Sequence, residues 1–259
     1  MTDWPRWMVM WLIAVGLYAI LKMLSWNAAC VCGPIWKRVA FLTAWPGMDS
    51  EAFLAGTGKP VENGEWAFAL CKTFLGVGTF ILAHSLDHAV SPLFVGWLGM
   101  VGIIFTLHFG TFHLLSCVWR SAGCDAKPIM NWPIDSTSLA EFWGKRWNLA
   151  FRDLTHRFLF RPLTKRFGVV GATTIGFFAS GLVHELAITV PAGSGYGGPT
   201  AFFLIQLVGI LFERSKWGRP IRGRFFTAIC LLAPLYWLFP PAFVEGIVVP
   251  FLRFLGGNS

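Results

Sequence analysis

Gly168-VVGATTIGFFASGLVHELAIT-Val190 is the stretch that decides what kind of protein this is. Its 23 residues carry one carboxylate, one imidazole and no other ionisable group. At about 1.5 Å per residue the run can cross the ~30 Å hydrocarbon core of a bilayer. Ala172, Gly176 and Ser180 recur every four residues, with Gly181 beside them, a small-residue face over which another helix can approach closely. His184 lies one turn beyond Ser180, hence on the same face. Polar groups at that depth are costly unless paired or hydrated, so they default to function. Periodicity alone leaves two readings open for His184, a packing residue or a base that handles protons. Glu185, about 100° round the helix, has the same choice between bonding a neighbour and contacting water.

The composition points the same way. Of 259 residues 55% are hydrophobic and 13% charged, against about 25% charged in a soluble domain. The 25 Phe and 14 Trp suit lipid-facing and interfacial positions. A formal charge of +8 raises nucleic acid as a partner, but the cations fall in loops between apolar runs. Membrane lipids of the inner leaflet account for them, and no nucleic acid is expected. The six cysteines form no framework; Cys30-x-Cys32 is a lone short pair, and no zinc is expected there.

Working outward, apolar runs cover Trp7–Leu24, Trp66–Leu86 and Pro92–Trp119 upstream, and Thr200–Phe212 and Phe225–Leu255 downstream. The last is broken at Pro240-Pro241, giving two short spans or one kinked helix with a re-entrant piece. The first reads as an uncleaved anchor, with Lys22 near its end snorkelling to the interface. Residues 25–65 are rich in turn formers and read as a loop with a short interfacial helix around Trp36–Trp45. Nine Lys or Arg lie in residues 120–167 and five in 214–224, while the links after the second and fourth spans have none. The positive-inside rule then makes 25–65, 120–167 and 214–224 cytoplasmic and puts the N-terminus outside. The expected fold is an all-α integral membrane bundle of about six to seven transmembrane helices plus one amphipathic interfacial helix. It divides into N-terminal spans (1–119), a core (120–215) and a C-terminal apolar region (216–259).

The interfacial helix is read from residues 138–158. Ser138-Leu-Ala-Glu141 has the form of a capping box. Leu139, Phe142, Trp143, Trp147, Ala150, Phe151, Leu154 and Phe158 follow at three-and-four spacing, while Lys145, Arg152, Asp153, His156 and Arg157 fill the other face. Asn148 sits at the edge of the apolar stripe. A surface anchor and a helix presenting Asn148 to a cleft both fit this pattern. His84-x3-His88 with Asp87 has metal-like spacing, yet a di-iron centre needs more clusters than His108 and His113 supply, so no metal is expected.

Pro128-IMNW-Pro133, Ser138-LAEFWGKRW-Asn148 and Ser180-GLVH-Glu185 together resemble the wax-synthase branch of the membrane-bound O-acyltransferase superfamily, over roughly residues 115–215. The resemblance implies that His184 is the catalytic base and Asn148, 36 residues before it, its active-site partner. It also implies acyl-CoA as co-substrate, with no cofactor, and a lipid alcohol as acceptor; the sequence has no Ser nucleophile motif, so direct transfer is expected rather than an acyl-enzyme. The residues around these two, Trp143, Lys145, Arg146, Trp147, Arg152, Ser180 and Glu185, become candidates for holding substrate, the cations facing the CoA phosphates. The chain is shorter than typical eukaryotic members, which leaves the acyl tunnel open. A non-catalytic transporter or scaffold with an intramembrane His and Glu is the alternative.

Overall fold

The computed structural model describes residues 4–29, 33–86 and 90–257. Helices and their connections make up these residues, with no strand among them. Four helical segments are long and apolar enough to cross a membrane: α1 (Arg6–Asn27), α2 (Asn63–Ser85), α3 (Pro92–Ser121) and α4 (Leu149–Ala192). α5 (Gly198–Arg214) has 17 residues, about 26 Å at 1.5 Å each, a little short of the hydrocarbon thickness. The C-terminal region is a bent pair, α6 (Arg224–Leu238) and α7 (Pro241–Leu255), meeting at 63°. Counting that pair as one span gives five candidates, where the sequence led to an expectation of six or seven. The bend falls at Pro240-Pro241, where two missing N–H groups interrupt the helical ladder. The protein is an integral membrane protein.

Glycines set the closest contacts. A Cβ on Gly76 or Gly102 of the packed pair α2–α3 would run into backbone of the other helix. Gly181 of α4 meets the backbone of Thr200 on α5 in the same way. The small-residue face of α4 is therefore used at Gly181, with Ala172 and Ser180 buried, whereas Gly176 has open space beside it. One apolar core joins α3, α4, α5 and the C-terminal pair through Val95, Ile188, Phe202, Phe203, Val244 and Leu252. A second lies under residues 33–56, where the expected interfacial helix is Ile35–Ala44; Phe41, Trp45 and Phe53 pack there against Cys124, Ile129 and Leu154.

Two expectations are corrected. Lys22 does not snorkel: it is 2% exposed, and its ammonium donates to the carbonyls of Trp45 (2.7 Å) and Gly47 (2.6 Å) over the Phe41 ring. Burying a charge is tolerable only when its donors are met, and the loop supplies the acceptors. Nor do residues 138–158 form one interfacial helix. They make a helical turn at Leu139–Glu141, a π-helical turn at Phe142–Arg146, a break at Trp147-Asn148, and then the start of α4. Sequence spacing runs through the break because three-and-four periodicity is blind to a single residue in the left-handed region. The pairs Asp87/His88 and Cys30/Cys32 lie outside the described residues.

Candidate active site

The break is built around Asn148. Its backbone is left-handed (φ 42°, ψ 62°), a conformation Asn tolerates better than most residues. Neighbouring strands of loop hold it there: Asn131 N–H donates to Arg146 O (2.8 Å) and Leu149 N–H to Ile129 O (2.9 Å). The Asn148 side-chain oxygen accepts from Phe151 N–H at 3.2 Å, capping α4. That bond fixes the orientation of the amide, because only the oxygen can accept. The two N–H donors of the side chain therefore face away from the cap.

The preceding turn is capped from two sides. Ser138 Oγ accepts from Glu141 N–H (3.0 Å), the expected half of the capping box. The Glu141 carboxylate accepts from Thr137 N–H (2.9 Å) and Thr137 Oγ1 (2.8 Å) rather than from Ser138, and pairs with Arg146 Nε at 2.7 Å. The Thr137 backbone bond, then its hydroxyl and Arg146, hold the Glu141 carboxyl down to about 2. Glu213, 2% exposed at the end of α5, takes the N–H groups of Leu139 and Ala140, each at 2.9 Å. Sequence reasoning missed this carboxylate, because a single Glu at the end of an apolar helix says nothing about which distant N–H groups it meets.

His184 ends the α-helical stretch Arg161–His184 of α4, which is kinked at Gly168 (φ 67°, ψ 179°), just before the π-helical turn Glu185–Thr189. Its Nδ1 lies 2.7 Å from Ser180 O. A carbonyl oxygen only accepts, so Nδ1 carries the proton and donates, and in the neutral ring Nε2 holds the lone pair. The half-buried imidazole rests on Phe203 at 4.6 Å between centroids. Phe203 also meets Trp143 at 5.5 Å, and the Trp143 indole N–H donates to buried Gln206 at 3.4 Å. Trp147 stacks on Phe142 at 5.4 Å, and Phe142 meets Trp143 edge to face at 5.0 Å. An aromatic chain thus links the loop bearing Asn148 to the ring of His184, while no hydrogen bond joins the two among the described residues.

The other candidates take distinct stations. Ser180 donates its hydroxyl to Gly176 O at 2.9 Å. Glu185 turns from His184 to α5, accepting from Thr200 N–H (3.1 Å), Thr200 Oγ1 (3.0 Å) and Thr189 Oγ1 (2.5 Å). Arg146 is spent on Glu141 and on the carbonyls of Asn131 (3.4 Å) and Trp132 (3.2 Å). Arg152 pairs with Asp153 at 3.0 Å, and Lys145 is exposed. A second polar cluster, unforeseen from spacing, joins α2 to α3. Lys72 donates to His113 Nδ1 (2.6 Å), and His113 Nε2–H donates to Glu65 (2.9 Å), which also pairs with Arg120. Donor atoms of Glu65, His113 and Cys117 lie within 4.8 Å of one another. Lys72 on one ring nitrogen and Arg120 on the carboxylate already engage this set, and a cation would meet two positive neighbours.

Residues 126–205 match the model of the Membrane bound O-acyl transferase family. The chain is 27% identical over 193 residues to a probable long-chain-alcohol O-fatty-acyltransferase 8 of Arabidopsis thaliana, covering 68% of this chain and 56% of the relative. It is 39% identical over 114 residues to a probable long-chain-alcohol O-fatty-acyltransferase 1 of the same plant, covering 38% and 33%. To the long-chain-alcohol O-fatty-acyltransferase of Simmondsia chinensis it is 32% identical over 101 residues, 34% of this chain and 29% of that one. The chain spans 56% of the length of the first of these relatives, and 33% and 29% of the other two.

Proposed function

We propose that the chain, whose residues 126–205 match the Membrane bound O-acyl transferase family and which is similar to long-chain-alcohol O-fatty-acyltransferases, moves a fatty acyl group from acyl-CoA to the hydroxyl of a long-chain alcohol or related lipid. The observation that carries this reading is the orientation of two side chains by backbone groups. Ser180 O takes the Nδ1 proton of His184, leaving a basic Nε2, and Phe151 N–H takes the oxygen of Asn148, leaving an amide donor.

In the proposed reaction Nε2 accepts the alcohol proton as the alcohol oxygen attacks the thioester carbonyl carbon. The carbonyl electrons move onto oxygen, where the Asn148 N–H groups donate to the developing charge; contacts of that kind are worth about 2.7–4 kcal/mol. Collapse re-forms the C=O and breaks the C–S bond, and the departing CoA thiolate takes the proton back from His184. Trp143, Trp147 and Ser180 line the acyl path in this reading, and Glu185 supports it by tying α4 to α5.

Lys145, Arg146 and Arg152 are proposed to meet the CoA phosphates from the cytoplasmic side, Lys145 with its whole side chain and the other two while braced. Their joint neutralisation raises the apparent KM for acyl-CoA. A cysteine placed at position 195 labels from outside the cell and one at 127 does not, with the N-terminus outside. The deciding experiment incubates purified protein with labelled acyl-CoA and a long-chain alcohol and looks for the ester. If no acyl-CoA is consumed, the reading fails and a transporter or scaffold takes its place.

A further inference from the structure

Between α5 and α6 the chain turns through residues 214–224, and every ionisable side chain in that turn is cationic. Arg214, Lys216, Arg219, Arg222 and Arg224 are all exposed. Among the described residues only Arg224 has an acidic partner, Asp135 at 3.6 Å. Large apolar side chains interleave with the cations: Trp217 is 73%, Ile221 55% and Phe225 80% exposed. The Lys216 ammonium lies 5.1 Å from the Trp217 ring centroid. The turn joins two membrane-embedded helices, so it sits at the level where hydrocarbon gives way to headgroups.

Four unpaired cations this close repel one another unless something negative neutralises them. A soluble anion would meet the charges but leave Trp217, Ile221 and Phe225 in water. An anionic lipid satisfies both, its phosphate among the cations and its glycerol and acyl region under the apolar side chains. Both ends of the turn also grip the block that carries Asn148. At one end Glu213 holds the N–H groups of Leu139 and Ala140; at the other Arg224 pairs with Asp135.

We infer that the 214–224 turn is a docking surface for the headgroups of anionic phospholipids in the surrounding leaflet, and that through Glu213 and Arg224 it steadies the segment from Asp135 to Asn148. The lipid preference does not rest on acyl transfer and is read without turnover; the steadying of the segment does rest on the proposed reaction.

The test uses the full chain in a neutral detergent and scores bound short-chain phosphatidylglycerol against phosphatidylcholine by native mass spectrometry. A cation near an anionic surface is worth about a fivefold factor. The parent therefore retains phosphatidylglycerol preferentially, and less so in high salt. Lys216→Gln/Arg219→Gln/Arg222→Gln loses that preference, and Arg219→Gln alone, should the triple variant not fold, weakens it about fivefold. In bilayers the parent turns over faster when phosphatidylglycerol is added and the triple variant does not respond. A parent indifferent to headgroup charge, or a triple variant that keeps the preference, overturns the docking surface. A raised KM for acyl-CoA with unchanged lipid preference would assign the turn to the donor's phosphates instead. An intact preference with no response of turnover overturns the coupling.

Discussion

Asn148→Asp separates the two tasks assigned to this residue. The aspartate oxygen caps α4 as well as asparagine does, since the two rank together at the N-cap position. What is removed is the pair of N–H donors that the cap leaves facing away from Phe151. If those donors meet the oxyanion, turnover falls by about 10²–10³, the cost of one such donor, while the melting temperature stays near the parental value. Asn148→Gly is the uncharged control: it accepts φ 42° without strain and gives up only a few tenths of a kcal/mol in capping. Asn148→Ala loses the cap, about 1 kcal/mol, and with it the short polar side chain that makes the left-handed backbone tolerable. The expected stability order is parent and Asp together, then Gly, then Ala; in activity all three variants fall together. Ester formation from labelled acyl-CoA and thermal unfolding in detergent give the two orders. An aspartate variant with near-parental turnover would show that Asn148 is a helix cap and nothing more.

His184→Ala lowers ester formation by at least 10²–10⁴ with unchanged expression and detergent-extracted size, and the Asn148→Ala/His184→Ala double variant is little worse, because residues acting together are not additive. Equal losses multiplying in full would argue against a shared step. Lys22→Met removes two charge-assisted bonds to Trp45 and Gly47 and lowers stability by about 3 kcal/mol or more, read as a drop in melting temperature; a neutral result would mean that the loop does not need its clasp. The Glu141 carboxyl is depressed from 4.5 to about 2, so its contribution is complete above the ordinary carboxylate range and is lost as pH falls through that window. Acid unfolding below pH 4.5 is therefore less steep in Glu141→Gln than in the parent, and identical profiles would remove Glu141 from the brace.

Much of the scaffold could be read before any coordinates. Apolar run length marked α1 to α4, proline chemistry marked the bend between α6 and α7, and Ser138 with Glu141 marked a helix start. Each of these signals is local, carried by residues within a turn or two of one another. The features that build the site are not. The break at Asn148 is held by loop residues 129–131 and capped upstream by Glu213, 65 or more positions from the block it fixes. Likewise the Lys72–His113–Glu65–Arg120 cluster spans two helices, and no spacing within either helix announces it. The tautomer of His184 was accessible in principle, since a histidine four residues after a helical carbonyl can donate back to it. What the sequence withheld was that Phe203, on the next helix, would lie against the ring.

The bond from Glu185 to Thr200 bears on how the chain is made. As α4 leaves the ribosome it carries a carboxylate whose partners on α5 have not yet been synthesised, and a charge within an apolar helix resists release into lipid. Only five residues, 193–197, separate the two helices, and Thr200 follows Glu185 by 15, so the partner arrives within about three seconds at ordinary elongation rates of about 5–20 residues per second. The two helices would then leave the insertion machinery as a hairpin, joined at Glu185, Thr189 and Thr200. A nascent chain cut between Gly193 and Gly197 is left with the carboxylate alone, and its α4 should be retained or degraded where the uncut hairpin is released.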